Sequence, residues 1–254
     1  MNQRFGEVPG LIPLTPLIKK IIVINVAVWL FLVLVPSFFS NVANQIFSIF
    51  GFVPFRFFTE FWLWQPFTYM FVHSPNVFHL VFNMLMLWFM GGEVENRLGK
   101  GFFLFYYLGC GAGAAIFYLL GVMVYYQFTG NVAIMETPVV GASGAIFGLL
   151  YAYGRLFGER IVSFMMIFPM RAKHFVMLLG AIEIMNLLSQ GFGGTVSNLA
   201  HLAGILSGYL LLRFGPNLKD RWNRWRTRSH GRNLKLVVDN DLSNKGQRAP
   251  RYWN

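Results

Sequence analysis

Apolar residues in this chain come in runs of about 20, with the polar residues gathered between the runs rather than alternating along them. A helix that crosses a bilayer needs about 20 mainly apolar residues. Six runs come close to that length, at 18–36, 78–96, 101–126, 140–157, 172–189 and 197–214. The first is entered through Lys19-Lys20 and closed by Pro36, and no small-residue cleavage site accompanies it, so it reads as an uncleaved span and not a signal peptide. The pattern predicts an all-α polytopic membrane protein: an N-terminal segment over 1–17, six transmembrane helices within 18–214, and a tail over 215–254. Two connections depart from it. The 37–77 loop is long yet rich in Phe and Trp, which suits the membrane interface, where Trp62 and Trp64 can keep ring faces in lipid and N–H groups at headgroup level. The apolar, basic-ended 158–171 connection is read as interfacial too.

Composition agrees with this pattern. Of 254 residues, 56% are apolar and 12% charged, against about 25% charged in ordinary soluble domains; the mean hydropathy is +0.52. The net charge of +11 is unevenly placed. Arg4, Lys19 and Lys20 precede the first run, and Arg97 and Lys100 follow the second. Arg155, Arg160, Arg171 and Lys173 lie between the fourth and fifth. The opposite loops, 37–77, 127–139 and 190–196, carry only Arg56. With six spans, the positive-inside rule puts both termini in the cytoplasm, and a bacterial inner membrane is the expected location. From Gly215 onward ten basic residues face three acids, leaving +7. Beside a last span this reads as a flexible cytoplasmic tail facing anionic lipid, and no nucleic-acid partner is expected. Cys110 is the single cysteine, so no disulfide framework exists.

A serine and a histidine stand inside the apolar runs. Ser143 lies in Gly141-Ala142-Ser143-Gly144, and His201 in Ala200-His201-Leu202-Ala203-Gly204. An ionisable residue in a span is costly and by default marks a functional site; a serine able to donate to a histidine is the minimum for nucleophilic catalysis. A helix starting near Ser143 offers unpaired N–H groups and the positive end of its dipole to an oxyanion. Gly141 and Gly144 let the backbone bend and approach closely. The Gly144–Gly148 and Gly204–Gly208 spacings also serve helix packing, and together they let the two helices approach closely enough for Ser143 and His201 to touch. His79 and Asn83, at i and i+4, share a face of the second run and are candidate oxyanion donors. His73, before that run, is read as interfacial. No metal-ligand spacing is present and no cofactor is expected. No acid stands at the outer end of a span facing the pair. Glu183, mid-run in the fifth, is read as a buried packing or hydrogen-bonding residue, so a dyad is expected rather than a triad. Position 145 is Ala and no strand–turn–helix context exists, so the hydrolase nucleophile elbow does not apply.

Together these residues resemble the rhomboid family of intramembrane serine proteases. Four strings carry the likeness: His79-x-x-x-Asn83, Gly141-Ala142-Ser143-Gly144, Ala200-His201-Leu202-Ala203-Gly204 with Gly208 beyond, and Gly91-Gly-Glu-Val-Glu-Asn-Arg-Leu-Gly99. The likeness covers about 60–214 and implies a six-transmembrane-helix rhomboid-like bundle. It implies Ser143 as nucleophile and His201 as general base, with His79, Asn83 and the Ser143 backbone N–H as oxyanion hole. It implies a structural role for Glu95 and an aromatic, Phe147, against the histidine. The Trp-Arg pair typical of the family's first loop stands here as Trp64-Gln65. The implied substrates are transmembrane protein segments cleaved near the outer face. A catalytically inactive rhomboid-like protein that binds membrane clients is the alternative. A transporter is disfavoured, since neither inverted repeats nor matched broken helices are seen.

Overall fold

The computed structural model describes residues 14–34, 42–164, 168–190 and 196–229. Most of the expected N-terminal segment, the closure at Pro36, most of the 190–196 loop and the tail beyond 229 lie outside them. The long helices are α1 (Pro16–Leu34), α5 (Val77–Leu98), α6 (Lys100–Thr129), α8 (Ser143–Leu156), α9 (Ala172–Gln190) and α10 (Val196–Ser229). Between α1 and α5 come three short helices, α2 (Val42–Phe50), α3 (Pro54–Thr59) and α4 (Gln65–Thr68), followed by a 3-10 turn at Tyr69–Phe71; α7 (Ala133–Glu136) follows α6. The residues up to Gly215 form one compact unit, and those from Pro216 a second.

Among the described residues, four helices have the length and apolarity to cross a membrane: Pro16–Leu34, Val77–Leu98, Lys100–Thr129 and Ala172–Ser189. The other two expected spans differ from these four. The fourth run becomes a helix of 14 residues, about 21 Å long against a hydrocarbon core of about 30 Å. The sixth lies in α10, which contains His201 and runs on beyond position 214.

The short helix is central. It packs against α5, α6 and α9, and Ala145, Leu149 and Ala152 are fully buried along it. Its contact with α10 is glycine on glycine: a Cβ at Gly204 would lie 2.1 Å from the Gly144 carbonyl oxygen, and one at Gly208 2.8 Å from the Gly148 Cα. In lipid, where helix association relies on close packing more than on water release, such small-residue contacts are what hold helices together. The Tyr106 hydroxyl adds a hydrogen bond to the Gly148 carbonyl at 2.7 Å.

Residues 42–77 of the expected loop are held together through Gln65, whose side chain is fully buried. Its Oε1 accepts from the Val53 N–H at 3.0 Å and its Nε2 donates to the Ser48 carbonyl at 3.0 Å. Phe58, Phe61, Leu63 and Phe67 remain exposed around it. The 158–171 connection, for which no strand was expected, forms an antiparallel hairpin, β1 (Ile161–Phe164) with β2 (Phe168–Arg171), in register Ile161 to Arg171. Pairing satisfies backbone groups that an unpaired apolar segment would leave without partners.

Candidate active site

The segment leading into α8 is held by three backbone contacts from the first loop region. Phe52 and Val139 exchange two hydrogen bonds of 2.9 Å, and the Gly141 N–H donates to the Tyr69 carbonyl at 3.0 Å. The Ala142 N–H donates to His73 Nε2 at 3.3 Å. Tyr69 is itself tied to α6, its hydroxyl donating to the Gly111 carbonyl at 2.9 Å. Gly141 turns the chain into the helix at φ +112°, in the region that favours glycine, and a Cβ there would lie 2.7 Å from His79 Nε2. Ala142 is the N-cap and supplies no side-chain acceptor, so the first turn of α8 keeps N–H groups available to a ligand.

Ser143 is the first residue of α8. Its Oγ lies 2.8 Å from His201 Nε2. The two residues are 58 positions apart; Gly144, next to Ser143, meets Gly204, one turn beyond His201. The Phe147 ring, one turn along α8, stacks on the His201 imidazole at 4.3 Å between centroids and 13° between planes. The far side of the imidazole differs from the sequence expectation. Glu183 Oε1 lies 3.0 Å from His201 Nδ1, with both side chains largely buried. No acid was expected there, because α9 and α10 are consecutive helices whose facing register the sequence does not state. A hydroxyl, an imidazole and a carboxylate therefore lie in a row.

The expected oxyanion donors are close by but already engaged. His79 Nδ1 pairs with the Ser74 hydroxyl at 2.9 Å, leaving its Nε2 edge toward Gly141. Asn83 is buried, and its amide donates to the His79 carbonyl at 2.6 Å, one turn back on its own helix. His73 is fully buried within the protein, with its ring 5.3 Å from that of His79. Burial, and secondarily the charge His79 can carry, depress its pKa to about 4, so at neutral pH its Nε2 is free to accept from Ala142. Glu95 is buried at the C-terminal end of α5 and accepts from the Thr15 hydroxyl just before α1, tying α5 to the start of α1. Among the described residues no group of three or more His, Cys, Asp or Glu could hold a metal ion.

These apolar helices, packed around a partly buried serine–histidine pair, define an integral membrane protein. Residues 60–216 match the Rhomboid domain family. The chain is 31% identical over 150 residues to "Rhomboid protease GluP" of Bacillus subtilis, covering 58% of this chain and 25% of that protein. It is 29% identical over 189 residues to "Rhomboid protease GlpG" of Salmonella newport, covering 74% and 61%, and 33% identical over 150 residues to "RHOMBOID-like protein 1" of Arabidopsis thaliana, covering 59% and 33%. The matched region spans between a quarter and about three fifths of these relatives. The chain belongs to the rhomboid family.

Proposed function

We propose that the chain is an intramembrane serine endopeptidase that cleaves transmembrane segments of membrane proteins, with Ser143 as nucleophile and His201 as general base. The observation that carries this reading is the 2.8 Å Ser143 Oγ–His201 Nε2 contact at the open N-terminus of a helix. Ser143 Oγ attacks the scissile carbonyl as its proton passes to Nε2, and the protonated imidazole then returns that proton to the leaving amine. The oxyanion develops beside the first turn of α8, where the Ser143 backbone N–H, the helix dipole and the His79 Nε2 edge can meet it. Asn83 can contribute the second hydrogen of its amide, since only one is used along its helix. Gly141 leaves the room for this approach.

The short α8 bears on how water reaches the site. Arg155 and the basic hairpin residues anchor its C-terminal end at one interface, so a helix about 9 Å shorter than the hydrocarbon core ends inside the bundle. Ser143 then sits below the opposite surface, within reach of water entering from outside. A substrate helix has to unwind there, because its carbonyls are otherwise hydrogen-bonded. We take 18–214 as a six-helix domain with an interfacial 37–77 loop, both termini cytoplasmic, in a bacterial inner membrane, with the tail from 215 against anionic lipid; the lysine and arginine asymmetry and the bacterial relatives support this.

The test is cleavage of a model single-span substrate by the full chain in proteoliposomes, together with fluorophosphonate labelling. Wild type should cleave and label, and Ser143→Ala should do neither while keeping its thermal unfolding midpoint. Cleavage undiminished in Ser143→Ala ends the proposal, and a wild type that neither labels nor cleaves favours an inactive client-binding protein.

A further inference from the structure

We propose that Glu183 is a positioning residue for His201, so that the serine and histidine work with a carboxylate behind them. The inference rests on the protease reading of the same site.

Three observations point to it. The first is depth. Glu183 lies seven residues before the end of α9 at Gln190, and His201 five residues into α10 from Val196. At 1.5 Å per residue these are about 10 Å and 8 Å from adjoining ends of consecutive helices. The second is register. A Cβ at Gly180 would lie 3.6 Å from Ile205 of α10. Glu183 is three residues after Gly180 and His201 four residues before Ile205, so in an antiparallel pair both fall on the facing stripe, one turn along. The third is surroundings. The neighbours of Glu183 on α9, including Ile182, Ile184 and Met185, are exposed apolar side chains, as suits a lipid-facing surface. Glu183 instead turns inward, with 13% of its side chain accessible, on the face it shares with half-buried Leu179 and Asn186. A carboxylate held in a span is costly unless something there needs it.

The chemistry follows from the tautomer. For the Ser143 hydroxyl to donate to Nε2, the neutral ring must carry its proton on Nδ1, and Nδ1 faces Glu183 Oε1 at 3.0 Å. In the resting arrangement the contact has ion-pair length without hydrogen-bond alignment. Neither Nδ1 nor Glu183 Oε2 has a hydrogen-bond partner among the described residues. The pair is thus placed to tighten when the imidazole becomes charged. As Ser143 Oγ bonds to the carbonyl carbon, the carbonyl π electrons move to oxygen and the serine proton moves to Nε2. The positive ring then lies between the oxyanion and the Glu183 carboxylate. Collapse reforms the carbonyl, breaks the C–N bond and returns the Nε2 proton to the leaving amine. Glu183 neither gains nor loses a proton; it fixes the tautomer and stabilises the charged ring.

The test compares wild type, Ser143→Ala, Glu183→Gln and Glu183→Asp as full chains in proteoliposomes. Active wild type with inactive Ser143→Ala establishes the protease reading independently of Glu183. Glu183→Gln keeps shape and loses charge, so a packing residue tolerates it better than Glu183→Asp. A positioning carboxylate gives the opposite order. We expect kcat to fall on the order of 10²-fold in Glu183→Gln with KM unchanged, and to recover to within about tenfold of wild type in Glu183→Asp. Glu183→Gln at wild-type kcat, or better than Glu183→Asp, overturns the proposal. Should Glu183→Gln fail to fold, nitrogen-15 NMR of the His201 ring in the wild type decides: a proton on Nδ1 supports the proposal, and a proton on Nε2 overturns it.

Discussion

Gly204→Ala adds one methyl group where α8 and α10 meet, and the structure sets what it should do. The new Cβ would stand 2.1 Å from the Gly144 carbonyl oxygen and 3.0 Å from its carbonyl carbon. Both are backbone atoms, so no side chain can rotate away. Ordinary contact begins near 3.4 Å, so the two backbones must part by about 1.3 Å. Ser143 adjoins Gly144, and His201 lies one turn before Gly204, so the separation falls on the 2.8 Å pair itself. An opening of that size takes the hydroxyl beyond hydrogen-bond reach of Nε2. Misplacement of reacting groups by about 1 Å costs on the order of 10²-fold in rate, and overpacking costs about 1–3 kcal/mol in stability. The assay is substrate cleavage and fluorophosphonate labelling in proteoliposomes, with thermal unfolding in detergent alongside. Gly101→Ala is the control, because a Cβ there meets nothing within 4 Å; it should leave rate and unfolding near wild type. If Gly204→Ala cleaves at the wild-type rate, the glycine contact does not set the serine–histidine distance and the reasoning fails.

Two further expectations concern the first loop and its anchor. Gln65→Leu leaves the Val53 N–H and the Ser48 carbonyl without their buried partner, costing about 1–3 kcal/mol for each group left unsatisfied; limited proteolysis should cut 42–68 in this variant well before wild type, and equal resistance would refute the role. His73 has a folded pKa near 4 against an ordinary 6.5, so the unfolded chain binds more protons between those values. Its stabilising contribution is complete above pH 6.5 and is lost as pH falls toward 4, amounting to roughly 3 kcal/mol at the acid end. Unfolding midpoints measured from pH 7 to pH 4 should therefore fall less steeply in His73→Gln, and an unchanged slope would remove His73 from the account.

Helix positions were legible because bilayer thickness demands apolar runs of one length, and the expected 78–96 and 172–189 lie inside Val77–Leu98 and Ala172–Gln190. The residues of the site were legible because a serine and a histidine within such runs are chemically expensive, and their flanking small residues supply a packing register. The geometry of α8 was less so. Hydropathy measures how apolar a segment is, and a helix enclosed by α5, α6 and α9 can be apolar without spanning the bilayer. Gln65, His73 and Glu183 were the residues whose surroundings the sequence left out. His73 lies far along the chain from Ala142, whereas Glu183 and Gln65 have partners nearer in sequence that are reached only through the packing of two helices or the fold of the loop.

By itself the sequence determined an α-helical membrane protein, its charge asymmetry and Ser143 and His201 as the candidate pair, because these depend on local composition and on the cost of polar groups in lipid. Only the tertiary structure decided that Glu183 faces His201 and that His73 is buried against Ala142. Those contacts depend on which faces of two elements meet, and a helix or loop carries no record in its own residues of the partner it will be packed against.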